Sequence, residues 1–256
     1  MEPVLVRQKI YPYVAYVDIA DKINGKDNFQ SCGGVIIGIK SVLTAGHCLH
    51  GKINPTVTVY AGIIDIKWEI EKGQKIPVEK YKVHEHYQSK CIVGKKCYYQ
   101  MNDIAIMWLQ EKFIFGPTVQ NADLNGNIKK PVGRKGWILG WGLKSKNVPT
   151  SMLHKGLVKV IPQEECEEQN PYIHITNNVM CIRGFKKTTK ANLGDSGGPL
   201  VIGEVVFGIS SISLKKTSCS KEPVDVYTDV ARYSEWIRNE LHLKKKPCKS
   251  ESCTIL

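Results

Sequence analysis

No apolar run in this chain approaches the roughly 18 residues that a membrane-spanning helix requires, so no such helix is available and no membrane partner is expected. The opening residues, Met1-Glu2-Pro3-Val4-Leu5-Val6-Arg7, lack the basic-then-apolar design of a secretory leader. The near match to an N-glycosylation acceptor, Asn54-Pro55-Thr56, is blocked by its proline. Cys91 and Cys97 enclose five residues, not the two of a zinc or redox Cys-x-x-Cys pair, so a local disulfide closing a surface loop is expected. His84-Glu85-His86 places two histidines on one strand face, but no third ligand of similar character follows, and no metal is expected. Basic residues are many, yet no nucleic-acid motif accompanies them, and no nucleic-acid partner is expected.

What is present sets the class. A chain of 256 residues with 42% hydrophobic content is long enough for one large all-β unit or two small barrels. Nine cysteines suit an extracellular protein better than a cytosolic one. Set against the missing leader, this usage implies a secreted chain whose signal precedes Met1. The odd total requires one unpaired thiol in a monomer, or a bond between chains. Thirty-six basic against 24 acidic residues leave a net charge of +12. The basic residues are scattered, with short clusters at Lys186-Lys187 and Lys244-Lys245-Lys246, so solvated surface is favoured over an acidic partner.

The chemistry gathers on Gly194-Asp195-Ser196-Gly197-Gly198-Pro199. Small residues flank a serine hydroxyl on a turn whose N–H groups can face a developing negative oxygen. Such clusters are also ordinary turn chemistry, so the reading needs a base and an orienting acid elsewhere in the chain. Thr44-Ala45-Gly46-His47-Cys48 supplies a histidine after an apolar stretch, and Asn102-Asp103-Ile104-Ala105-Ile106 an aspartate at the mouth of an alternating segment. In this order and with these signatures, the chain resembles the trypsin/chymotrypsin-like serine proteases from about Tyr11 to about Leu243.

The resemblance implies an all-β fold of two perpendicular six-stranded antiparallel β-barrels with a C-terminal helix. The expected division is an N-terminal barrel over 10–115, a C-terminal barrel and closing helix over 116–243, and a basic tail over 244–256. Alternation supports strands at Tyr11–Val17, Ser31–Ile37, Ser41–Ala45, Thr56–Tyr60, Ile104–Leu109, Leu157–Ile161 and Val224–Thr228. Asp21 to Asn28 reads as a polar turn, and Val230 to Leu243 as an amphipathic helix.

The same resemblance implies that Ser196 attacks the scissile carbonyl, His47 moves the proton and Asp103 orients the imidazole. N–H groups of Gly194 and Ser196 would form the oxyanion hole, with no cofactor. Cys32–Cys48 and Cys166–Cys181 would be disulfides. A protein or peptide substrate, a protein protease inhibitor and a monomeric state are expected. The Asp195 carboxylate would pair with an α-amino group released by activation cleavage. Ile10, after Lys9, lies too close to the first strand to reach it; a start just upstream of Glu2 fits better, and the chain as written would be zymogen-like.

Several positions depart from the family pattern. Lys190, six residues before Ser196, stands at the pocket base where trypsin-like members carry aspartate. Asp225 stands where glycine is usual on the pocket wall. Three placements stay open: the two pair, Lys190 receives an acidic substrate side chain, or Lys190 turns to solvent; a lysine at this position argues against tryptic specificity. Asn192 replaces the pocket cysteine, which leaves Cys219 free or joined to Cys248 or Cys253. Ser211 matches a serine lining the cleft, and Ser213 replaces a glycine, narrowing the pocket mouth. The alternative function is a catalytically inactive homologue that acts as a binding module.

Overall fold

The computed structural model describes residues 11–23, 25–92, 97–143, 150–169, 175–186, 189–214 and 224–243, without the side chains of residues 23, 90–92, 97–99 and 213–214. The expectations for Cys219, Cys248, Cys253, residues 7–10 and the tail therefore lie outside the described residues, as does the Cys91–Cys97 bond.

The first barrel is built from β1 (Val14–Ile23), β2 (Lys26–Gly38), β3 (Ser41–Thr44), β4 (Thr56–Ala61), β5 (Gln74–Val83) and β8 (Ala105–Leu109). It closes in the order β1-β2-β3-β8-β5-β4. Strand alternation drives the closure: in β4, Val57 and Val59 point inward while Thr56 is exposed. A separate hairpin, β6 (Gln88–Ile92) with β7 (Cys97–Met101), stands beside it and leads into the Asp103 segment.

The second barrel uses β10 (Lys135–Gly140), β11 (His154–Ile161), β12 (Val179–Gly184), β13 (Pro199–Ile202), β14 (Val205–Leu214) and β15 (Val224–Asp229). Its neighbours run β13-β10-β11-β12-β15-β14, and the β13–β14 pairing closes the ring. The short β9 (Asp123–Leu124) adds to β14 in parallel. The architecture is the expected pair of six-stranded antiparallel barrels.

One core cluster fills the first barrel and continues into the junction through Leu139, Trp141, Val201 and Ile209. A second, around Ile138, Val158, Ile182 and Tyr227, fills the other barrel. Each fully buried valine, leucine or isoleucine here contributes on the order of 2 kcal/mol before entropy is counted. Trp141 fastens the two halves: its indole donates to the Ile64 carbonyl at 2.9 Å and meets the Tyr16 ring edge-on. Both expected disulfides with described side chains form, Cys32–Cys48 and Cys166–Cys181. The latter ties α1 (Gln163–Gln169), which carries Glu164 and Glu165 at its positive end, to β12.

Two expected boundaries differ. The turn read at Asp21–Asn28 is mostly strand, because pairing continues to Ile23↔Lys26. Asp21 accepts the Asn28 side-chain amide at 2.6 Å and Lys52 Nζ at 3.0 Å, so these polar residues support the hairpin. The closing helix starts as a 3-10 turn, Val230–Tyr233, because the Asp229 carboxylate accepts the Ala231 N–H. It continues as α2 (Ser234–Glu240), which buries Ile237. No helix among the described residues is long and apolar enough to cross a membrane.

Candidate active site

His47 sits on a 3-10 turn, Gly46–Cys48, which follows β3 and is pinned to β2 by the Cys32–Cys48 bond. Its Nδ1 lies 2.8 Å from Asp103 Oδ2, and its backbone N–H donates to Asp103 Oδ1 at 2.7 Å. The ring tautomer follows from this contact, since an ionised carboxylate only accepts.

Asp103 lies two residues before the start of β8 and is almost fully buried. Burial alone raises its carboxyl, but the positive charge and hydrogen bonds of His47, with the Ser211 bond, outweigh it and hold the carboxyl low. For His47 the balance runs the other way: burial lowers its pKa, the Asp103 charge and hydrogen bond raise it, and the net direction is upward. Thr228 Oγ1 also donates to the Asp103 carbonyl at 2.8 Å, joining this segment to the second barrel.

Asn102 holds the aspartate in place. Its backbone is left-handed, with φ +51°; among described non-glycine residues only Asn54 and His242 share a positive φ, and asparagine tolerates that region well. Its side chain donates to the His86 carbonyl at 2.7 Å and accepts the Tyr233 hydroxyl at 3.0 Å. In the sequence Asn102 stands out only as part of the Asn102-Asp103-Ile104-Ala105-Ile106 motif. His84 packs against Tyr233 and Trp236 from the same side, giving that histidine pair a packing partner.

Ser196 approaches from the second barrel. Its carbonyl accepts the Gly33 N–H at 2.7 Å, so the serine turn docks on β2. Gly197 has φ +80°, and a Cβ there would collide with Thr44 Oγ1 and the Gly33 carbonyl, so glycine is required. Gly194 also has positive φ, at +96°. An Oγ–Nε2 bond between Ser196 and His47 is not among the described hydrogen bonds; such contacts are often long in substrate-free sites and tighten when substrate binds.

Asp195 points the opposite way, into the protein. Its carboxylate accepts the Gly142 N–H and the Asn192 N–H, both at 2.8 Å. The glycines of Gly140-Trp141-Gly142 admit it, since a Cβ at either would overlap the carboxylate. Burial pushes its pKa up to about 7 against the two N–H donors, and the negative charge of Asp225 adds to the rise.

Asn192, read from sequence as standing in place of a pocket cysteine, takes part in ties of another kind. Asn192 Nδ2 donates to the Leu143 carbonyl at 2.7 Å, and the Leu143 N–H donates to the Leu193 carbonyl at 2.9 Å. These bonds tie the segment before Ser196 to the strand end after β10. Asp225 is buried and accepts the Ala191 N–H at 2.7 Å. A Lys190–Asp225 ion pair is not among those formed by the described residues. Ser213 pairs with Asp225 across β14 and β15, while its side chain lies outside the description. Ser211, read from sequence as a cleft-lining residue, has its hydroxyl 2.5 Å from Asp103 Oδ2.

Comparison with known proteins agrees with this architecture. The family model described as Trypsin matches residues 7–237. Kallikrein-8 from Homo sapiens is 32% identical over 210 residues, covering 81% of this chain and 75% of the relative. Granzyme B from Rattus norvegicus is 32% identical over 233 residues, covering 90% and 86%. The solved structure of neuropsin, a serine protease expressed in the limbic system of mouse brain, superposes with a TM-score of 0.75 at 28% identity, covering 94% of this chain and 99% of the other.

Proposed function

This chain belongs to the trypsin family of serine proteases, and from that premise we propose that His47, Asp103 and Ser196 carry its peptide-bond hydrolysis. It is a serine endopeptidase of the chymotrypsin-like fold, and its substrates are proteins or peptides. The supporting observation for the triad is the doubly bonded contact between His47 and the buried Asp103, beside a serine turn docked on the same strand pair.

In the proposed reaction, Ser196 Oγ adds to the scissile carbonyl carbon as His47 Nε2 takes its proton. The carbonyl oxygen becomes an oxyanion, held by the N–H groups of Gly194 and Ser196. The C–N bond then breaks, and His47 returns its proton to the leaving amine. Water, deprotonated by the same imidazole, attacks the acyl-enzyme and releases the carboxylic acid and free Ser196. The buried Asp103 stabilises the imidazolium in both steps and keeps Nδ1 as its donor.

For specificity we read Lys190 as a barrier to arginine and lysine before the cut, because it sets a positive charge at the pocket base. The pocket residues are Lys190, Ser211, Ser213 and Asp225. Secretion is supported by the cysteine usage and by two disulfides, which persist in oxidising compartments. A monomer regulated by a protein inhibitor completes the reading.

The second reading, a non-catalytic homologue that binds partners through the cleft, is favoured by the departures from the family pattern at Lys190, Asn192 and Asp225. Hydrolysis of a fluorogenic peptide mixture by the purified protein separates the two. Cleavage abolished in Ser196→Ala supports the enzyme; cleavage unchanged in that variant refutes the assignment of Ser196.

A further inference from the structure

The hydrogen bonds behind Asp103 need one proton more than Ser211 can give. Ser211 Oγ lies 2.5 Å from Asp103 Oδ2 and 3.1 Å from the Gln100 side-chain oxygen, both of which accept. A serine hydroxyl has a single proton to give. Asp103 is ionised and acceptor-only, so the proton belongs on Ser211–Asp103. The Gln100 group facing Ser211 must then be a donor.

A half-turn of the terminal amide supplies one, because its oxygen and nitrogen exchange places with little change in shape. The same half-turn keeps the other end satisfied, since the Tyr87 hydroxyl, which otherwise accepts from Gln100 Nε2, can donate instead. The Gln100 amide lies 3.4 Å from the Tyr87 hydroxyl, which can donate to the relocated oxygen. Every donor then meets an acceptor in sequence: Tyr87 O–H to Gln100 Oε1, Gln100 Nε2–H to Ser211 Oγ, Ser211 O–H to Asp103. Gln100, Ser211 and Asp103 are all buried, where a mismatched polar contact costs most. The ring of Tyr87 is in turn braced on His50, 4.7 Å away between centroids.

We propose that Gln100 is a positioning residue whose amide nitrogen donates to Ser211 Oγ and so commits the Ser211 proton to Asp103. The proposal rests on the catalytic assignment of His47 and Asp103. Donation to Ser211 oxygen polarises its O–H and strengthens the bond to the carboxylate. Losing that donor weakens the bond, leaves more negative charge for His47 and raises its pKa. Titratable neighbours packed around the pair include Tyr87, His50 and Tyr233.

The test is an NMR titration of the His47 ring in the wild type, Gln100→Leu and Gln100→Glu, with kcat/KM measured across the same pH range. Gln100→Leu should raise the His47 midpoint by roughly half a pH unit, the weight of a fraction of one hydrogen bond. Gln100→Glu brings a second acceptor and a negative charge, and should raise it by about one pH unit or more. The acid limb of kcat/KM should move with the midpoint.

If Ser211 instead donates to the Gln100 oxygen, Gln100→Leu frees that proton for Asp103 and lowers the midpoint. A lowered or unchanged midpoint in Gln100→Leu overturns the proposal. Should Gln100→Leu fail to fold, the Gln100→Glu titration decides, and an unchanged midpoint there refutes it. The NMR midpoint is readable without turnover, so a wild type that titrates but does not cleave peptides refutes the enzyme reading separately.

Discussion

Replacing Asp195 by asparagine should flatten the pH dependence of stability above pH 5. The wild-type carboxyl is buried, and burial moves it from 3.8 to about 7. A carboxyl with a raised folded-state pKa binds its proton more tightly in the native than in the unfolded chain. Its burial therefore costs nothing below its unfolded pKa, and the cost grows as pH rises toward 7. The full penalty is on the order of 4 kcal/mol, of which about 2–3 kcal/mol falls between pH 5 and pH 8. Asparagine keeps the shape and one acceptor, does not titrate, and sets its own cost against the Gly142 or Asn192 N–H equally at both pH values. Urea unfolding at pH 5 and pH 8 reads the difference: with m of about 2 kcal/mol/M, the wild-type midpoint should fall by about 1 M more than that of the variant. Equal shifts in the two proteins would show that Asp195 is compensated by a charge and refute the reasoning. A cation brought against Asp195 would act the same way, which gives the carboxylate a physical route to sensing activation.

Two further substitutions probe the pocket. Lys190→Asp should reverse the charge preference before the cut, lifting kcat/KM for arginine substrates by about tenfold or more relative to glutamate substrates; a peptide library profiled with both proteins checks it, and an unchanged ranking removes Lys190 from the pocket. Asn192→Ala loses the bond to the Leu143 carbonyl and should cost about 1 kcal/mol of stability. It should also lower kcat more than it raises KM, because the freed segment carries Gly194; an unfolding midpoint and kinetics equal to wild type would show that the tie is dispensable.

Much of the fold was legible because strand alternation, glycine-rich turns and short motifs are local signals. β4 alternates from Thr56 to Val59, and the His47, Asp103 and Ser196 motifs each carry their own signature. Hydrogen-bond partners distant in sequence were less legible. Nothing near Ser211 indicates that its hydroxyl meets Asp103, 108 residues away. The substitution at Asn192 was visible as a missing cysteine, but its replacement by a bond to Leu143 depends on a strand end that sequence alone does not bring near. The hairpin at Asp21–Asn28 reads as a turn in sequence because its polar residues satisfy one another across the pair. Gln100 had no signal at all: its meaning arises only from counting protons around Ser211.

The most direct test of the central claim is covalent labelling of the native protein by a fluorophosphonate probe, which reacts with an activated serine. Labelling of the wild type that disappears in Ser196→Ala is the predicted result. No labelling of the wild type, or labelling that persists in the variant, would contradict the assignment of Ser196 as the nucleophile.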